Sequence, residues 1–117
     1  MTAADPDCLF CRIVAGEIPA TIVHETETTF AFRDLEPQAP THVLVVPRSH
    51  YPDAAALAAG EPATAADLFD AAREVAEKEG LDNGYRLVLN TGPDAQQTVF
   101  HLHVHVLGGR SMGWPPG

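Results

Sequence analysis

The sequence predicts an α+β domain: a five-stranded antiparallel sheet carrying one main helix and a short N-terminal helix. Three observations predict it. Five short runs rich in β-branched or apolar residues follow one another mostly through turn signals, and consecutive strands without intervening helices pair antiparallel. One stretch, residues 64–79, holds apolar residues at helical spacing. The chain has 117 residues, the size of one compact domain spanning residues 1–117, with little room for a second.

Each element has a local reason. Residues 1–7 read as a frayed lead-in. Residues 8–14, Cys-Leu-Phe-Cys-Arg-Ile-Val, form a short helical turn that Gly16 closes and Pro19 ends. Residues 21–25 are β-branched and make the first strand. Residues 29–34 make the second, with Phe30 and Phe32 on one face. Pro37 and Pro40 break the chain before an apolar third strand, residues 42–46, which Pro47 stops. An alanine-rich approach from residue 53 passes Gly60 and Pro62 and enters the main helix, residues 64–79. Leu68, Ala72 and Val75 line one side of it, and Gly80 is a ready stop. Asp82-Asn83-Gly84 turns the chain into a fourth strand, residues 85–90. A polar loop, residues 91–97, leads to the fifth strand, residues 99–107, ended by Gly108-Gly109. The tail, residues 110–117, holds the only tryptophan, Trp114.

Charge and cysteine usage narrow the function. Seven Lys and Arg against 16 Asp and Glu leave a net charge of −9. Nucleic acid and anionic membranes are therefore poor partners, because each phosphate contact needs a cation. One small phosphorylated ligand is still compatible, since a few backbone N–H groups hold a phosphate. No apolar run approaches the roughly 20 residues that span a bilayer. No signal-peptide pattern is visible at the N-terminus, and two cysteines three apart are no disulfide framework. A reducing cytoplasm is the expected compartment.

The informative segment is residues 100–106, Phe-His-Leu-His-Val-His-Val. On a strand, His101, His103 and His105 share one face, while Leu102, Val104 and Val106 pack under the helix. Half of the six histidines on one face argues against an incidental solvent-facing strand. Two chemical readings stand: a three-histidine metal site, and nucleophilic catalysis in which a neutral imidazole attacks phosphorus and a second histidine protonates the leaving group. Spacing alone does not choose between them. Cys8-x-x-Cys11 is equally open. A redox pair lacks its usual βαβ setting, two buried thiols are the plain alternative, and half of a zinc site awaiting histidine ligands is the third.

Several motifs agree in order and spacing. They are Cys8-Leu9-Phe10-Cys11 with Glu17-Ile18-Pro19-Ala20, Phe32-Arg33-Asp34-Leu35, Gln38-Ala39-Pro40-Thr41-His42, Asn90, Thr98-Val99-Phe100, the alternating histidines, and Leu107-Gly108-Gly109-Arg110 with Trp114-Pro115-Pro116-Gly117. Together they resemble the histidine triad family over almost the whole chain. The Trp-Pro-Pro-Gly ending resembles its Hint-type branch, the purine nucleoside phosphoramidases.

The resemblance implies a hydrolase that cleaves the P–N bond of purine nucleoside 5′-phosphoramidates through a covalent nucleotidyl-histidine. His103 matches the nucleophile, His105 the residue at the phosphate and leaving group, and His42 a supporting histidine in a proton relay. Asp34 matches the acceptor for ribose hydroxyls. Leu35, Phe32, Phe10, Leu9, Ile13 and Ile18 match an apolar slot for the base, although plain core is an equally good reading of each. No lysine or arginine is an obvious phosphate clamp, so Asn90, Thr98 and the N–H groups near Thr98 and Val99 would hold the phosphate as neutral dipoles. The loop before Thr98 often carries glycine in the family; here Gln96 stands there, which puts one backbone contact in question. Bacterial-type members with this C-x-x-C imply one structural zinc per chain, with His50 and His101 completing Cys8 and Cys11.

The resemblance also implies a homodimer in which two sheets join into one, with Trp114 of the tail reaching the partner's site. The apolar fourth strand at a sheet edge and an isolated tryptophan needing cover give that expectation a separate reason. Two other functions compete: a dinucleoside polyphosphate hydrolase or nucleotidyl transferase, and a nucleotide-binding module with little turnover.

Overall fold

A computed structural model describes residues 4–117. Of the lead-in expected over residues 1–7, residues 1–3 lie outside the described residues. Asp5 then turns the chain: its carboxylate accepts the Asp7 N–H at 2.9 Å and its carbonyl accepts the Cys8 N–H at 3.0 Å. Helix α1 (Leu9–Val14) follows, with Cys8 as its N-cap. Just past its end Gly16 takes φ +80°, a left-handed position where glycine pays no Cβ penalty.

The strands are β1 (Ile22–Glu25), β2 (Thr29–Arg33), β3 (Thr41–Pro47), β4 (Tyr85–Val88) and β5 (Val104–Gly108). They form one antiparallel sheet in the order β1-β2-β3-β5-β4, so the expected architecture is the one observed. β3 lies at the centre and is buried along its whole length, because both its faces are covered. On one face Ala31, Val43, Val45, Val104 and Val106 pack against Leu68, Ala72 and Val75 of the main helix, α3 (Pro62–Lys78). On the other, Phe30, Phe32, Leu44 and Val46 pack against Phe10 and Ile13 of α1. His105 lies opposite Leu44 and His42 opposite Leu107. Alternation therefore sends both histidines to the α1 face, leaving the α3 face apolar.

Beyond shifts of one residue at several element ends, the structure departs from the sequence reading in one added helix and in three boundaries. An additional helix, α2 (Ala54–Gly60), precedes α3. Asp53 caps it by accepting the Ala56 N–H at 2.9 Å, and its single bulky residue, Leu57, is buried in the core. α3 starts at Pro62 rather than residue 64, since proline fits the first turn, where its missing N–H costs nothing. β4 stops at Val88 instead of residue 90. β5 starts at Val104, not residue 99, because the preceding segment leaves the ladder: Leu102 N–H donates to the Tyr51 carbonyl at 2.7 Å. The three alternate histidines thus do not sit on one strand face. His105 is in β5, and His103 and His101 precede it in an irregular segment.

Candidate functional site

Two centres meet at residues 101–105. The first gathers Cys8, Cys11, His50 and His101, whose ligand-type atoms all lie within 4.8 Å of one another. The C-x-x-C spacing puts one sulfur at the cap of α1 and the other on its first turn. The third strand ends just before His50, and the bend before β5 turns His101 inward. His101 Nδ1 lies 3.5 Å from each sulfur, and His50 Nδ1 lies 3.4 Å from Cys11 Sγ and 3.2 Å from His101 Nδ1. A tetrahedral zinc with ordinary bond lengths would set sulfur and nitrogen about 3.6 Å apart and two nitrogens about 3.3 Å apart. The donor set fits the edges of that tetrahedron.

The surroundings of this cluster fit a metal as well. Pro47's carbonyl accepts from His101 Nε2 at 2.8 Å, so the proton is on Nε2 and Nδ1 presents a lone pair to the cluster. Asp5 N–H donates to Cys11 Sγ and Cys11 N–H to Cys8 Sγ, both at 3.4 Å, which favours thiolates. With no metal bound, burial pushes the Cys11 thiol up against the lowering effect of the Asp5 N–H, with Cys8 adding to the rise, and burial pulls His101, fully enclosed at 0% exposure, down to about 4.

The second centre is a cleft of about 620 Å³ lined by His103 and His105, by Asn90, Asp94, Ala95, Gln96 and Thr98, and by Gly117 of the tail. Hydrogen-bond partners assign the protons. His103 Nδ1 lies 2.8 Å from the His101 carbonyl. A carbonyl only accepts, so Nδ1 carries the proton and Nε2 is an unprotonated nitrogen. His42 Nδ1 accepts the Gln38 N–H at 3.0 Å, so His42 Nε2 carries its proton and donates it to His105 Nδ1 at 2.8 Å. That in turn leaves the His105 proton on Nε2. The His42 Nε2 approach to Asp34 Oδ2, at 3.5 Å, is accordingly that of a neutral ring whose proton is given to His105, and not an ion pair.

Burial lowers the pKa of His42, His103 and His105 alike, His105 to about 4 with His103 and His42 adding to the fall. All three rings are therefore neutral near pH 7. Asp34, His42 and His105 also lie within metal-ligand reach of one another. Their 2.8 Å nitrogen separation is that of a hydrogen bond, shorter than the about 3.3 Å a tetrahedral zinc would impose. Among the described residues His101, His103 and His105 do not gather as one ligand set.

The remaining candidates divide. Asn90 Nδ2 donates to the Ala95 carbonyl at 2.8 Å and braces the loop. The N–H groups of Thr98 and Val99 have no acceptor among the described residues, while those of Gln96 and Gln97 are spent on Pro93 and Gly92. Asp34 Oδ1 accepts the Glu36 N–H. Phe10, Phe32 and Ile13 are buried in the α1-side core, with Ile18 packed partly against it, and the Phe10 ring stands edge-on to His103 at 5.0 Å. Leu9 is exposed and Leu35 is 95% exposed. Trp114 is 82% exposed on a tail held through the Gly113 carbonyl by Arg86, and it is not among the residues that line the histidine cleft.

Two residues of consequence were given no role by the sequence. Gln97 is only 9% exposed. Its Oε1 accepts the Gly92 N–H at 3.0 Å, and its Nε2 donates to Pro52 O at 2.6 Å and Val99 O at 3.2 Å, tying the cleft loop to the core. Gln38 sets the His42 tautomer through its backbone, which no side-chain pattern reveals.

Residues 15–112 match the model of the HIT domain family. A 14 kDa zinc-binding protein of Zea mays is 47% identical over 116 residues, covering 97% of this chain and 90% of that one. A HIT family hydrolase of Legionella pneumophila superposes with a TM-score of 0.91 at 46% identity, covering 95% of this chain and 100% of that one. A histidine triad nucleotide-binding protein of Candida albicans superposes at 0.82 with 30% identity, covering 93% of this chain and 83% of that one. The chain belongs to the HIT domain family.

Proposed function

We propose that this protein hydrolyses the P–N bond of purine nucleoside 5′-phosphoramidates, with His103 as nucleophile. The observation that carries the reading is the tautomer of His103: Nδ1–H held by the His101 carbonyl and an unprotonated Nε2 in a cleft lined by no lysine or arginine among the described residues. The Legionella relative is named a hydrolase and the Candida relative a nucleotide-binding protein, which supports both the chemistry and the ligand class.

His103 Nε2 forms a bond to phosphorus as the P–N bond of the substrate breaks. The departing amine takes a proton at the His105 Nε2 edge. In the empty cleft His105 is neutral; an incoming phosphate anion beside it offsets the burial and favours the protonated ring. In the empty cleft His42 holds neutral His105 through its Nε2–H, and Gln38 N–H in turn holds His42; once His105 is protonated at both nitrogens its Nδ1 no longer accepts, and the His42 Nε2–H turns to Asp34 Oδ2, 3.5 Å away. The N–H groups of Thr98 and Val99 and the Thr98 hydroxyl receive the phosphate oxygens, a neutral-dipole site suited to a chain of net charge −9. Water then attacks phosphorus, the P–N bond to His103 breaks, and the water proton goes to His105. Asp34 offers a carboxylate to ribose hydroxyls, and Leu9, Leu35, Ile18 and the Phe10 edge border the base.

The same reading places one zinc at Cys8, Cys11, His50 and His101, as the name of the maize relative supports. Bound there, zinc supplies the charge that keeps two buried sulfurs as thiolates and cross-links α1 to the segment before β5. Elemental analysis of protein purified without chelator is expected to give about one zinc per chain, reduced in Cys8→Ala/Cys11→Ala. The activity is tested by turnover of an adenosine phosphoramidate beside a diadenosine polyphosphate, with wild type and His103→Ala. Phosphoramidate turnover that disappears in the variant, while adenosine monophosphate still binds, is the expected result. Faster cleavage of the polyphosphate, or binding without turnover in the wild type, would replace the reading.

A further inference from the structure

His101 commits every polar side-chain atom and its carbonyl. Nδ1 faces Cys8 Sγ and Cys11 Sγ at 3.5 Å each and His50 Nδ1 at 3.2 Å. Nε2–H donates to Pro47 O at 2.8 Å. The carbonyl accepts the Nδ1–H of His103, also at 2.8 Å. The intervening Leu102 N–H is clamped on Tyr51 O at 2.7 Å. This segment lies outside the sheet, so no ladder hydrogen bonds orient it. The direction of the His101 carbonyl is set by these contacts, and Phe10, one residue before Cys11, touches both rings, with centroids 6.0 Å from His101 and 5.0 Å from His103.

We propose that His101 is a positioning residue through which the metal site controls the nucleophile: metal held at Nδ1 fixes the His101 backbone, and its carbonyl then keeps His103 with Nε2 bare toward the cleft. The proposal rests on the zinc and His103 assignments made above. With Nε2 protonated, neutral His101 has no N–H for the Cys8, Cys11 and His50 edge, and thiols are weak donors. Loss of metal therefore leaves that edge without a strong partner. The ring turns, the carbonyl follows, and His103 loses the acceptor that selects its tautomer. The proton then visits Nε2, and a ring protonated there has no lone pair for phosphorus. Losing such a supporting hydrogen bond costs about tenfold in rate.

The test uses protein labelled with ¹⁵N in its imidazole rings, at one fixed pH, in zinc-loaded, chelated and reloaded forms. The loaded protein is expected to show His103 as the Nδ1–H tautomer. In the chelated, still-folded chain the Nε2–H tautomer grows, and kcat falls about tenfold with KM within about twofold. One equivalent of zinc reverses both. His50→Ala retains three ligands and covers the case in which the fully chelated chain unfolds: zinc titrated into it must move the His103 ring signals in step with occupancy. His103 signals indifferent to occupancy in either folded protein overturn the proposal. The signals are read without substrate, so coupled signals in a protein that turns over no phosphoramidate would count against the hydrolase reading and leave the coupling standing.

Discussion

Replacing Gln97 is expected to damage the protein in a way that distinguishes its hydrogen bonds from its bulk. The carboxamide makes three contacts, one accepted from Gly92 N–H and two donated to Pro52 O and Val99 O. Neutral hydrogen bonds contribute about 1 kcal/mol net each. Gln97→Ala would thus lose about 3 kcal/mol if nothing replaced them, and about 2 kcal/mol once water enters the space. For a chain of this length that is a fall of about 8 °C in Tm. Gln97→Glu keeps the shape and the acceptor but turns an oxygen toward two carbonyls, so at neutral pH it should be worse than alanine. Adenosine monophosphate affinity should fall in the same order, because the freed loop carries the Thr98 and Val99 N–H groups. Thermal unfolding and calorimetric titration of the three proteins read both quantities. A glutamate variant as stable as wild type, or an alanine variant within about 0.5 kcal/mol of it, would refute the bracing role.

Gln96 takes φ +59°, the one non-glycine left-handed residue among those described, so Gln96→Gly should relieve backbone strain and raise stability by about 1 kcal/mol in a denaturant titration; a destabilised variant would show that the side chain offsets the strain. Hydrogen bonding to Arg33 holds Glu79 below its usual range, with Nη1 2.7 Å and Nη2 3.0 Å from its two oxygens. The folded chain therefore takes up that proton less readily than the unfolded chain. The contribution is complete above the ordinary carboxyl value of 4.5 and is lost as pH falls through the lower folded value, so Glu79→Gln should lower stability at pH 7 and leave it nearly unchanged at pH 2. Equal losses at both pH values would mean packing rather than the ion pair is at work. β4 ends the sheet with an open edge, and light scattering at micromolar concentration should report twice the chain mass; a stable, active monomer would contradict pairing through that edge.

Much of this was legible beforehand, because the forces that decide it are local. The apolar run of residues 42–46 and the spacing of Leu68, Ala72 and Val75 each mark burial by their periodicity, and β3 and α3 follow. α2 was not legible as a helix because between Asp53 and Gly60 only Leu57 is bulky, and alanines carry no face. The alternation at residues 101–105 pointed to the segment where the cleft and the cysteine–histidine cluster meet but misdescribed its shape. A strand would put the three histidines side by side, whereas His101 is turned toward the cysteines and hydrogen bonds at Pro47 and Tyr51 bend the segment out of the ladder. The spacing of Cys8 and Cys11 left a redox pair, two buried thiols and half of a zinc site open, and the zinc with His50 and His101 came only with the family resemblance, because His50 lies far away in sequence. Gln97 and the Gln38 N–H were invisible, since their roles depend on which distant backbone atoms fold against them.

The central claim is that His103 Nε2 becomes covalently nucleotidylated. Rapid mixing of zinc-loaded protein with an adenosine phosphoramidate carrying a fluorescent amine, quenched in alkali and digested, tests it by mass spectrometry. A burst of free amine is expected, with a matching adenylyl mass on the peptide containing His103, attached through Nε2 and absent in His103→Ala. Amine release with no adduct at any time point, or an adduct on His105 or His42, would contradict it.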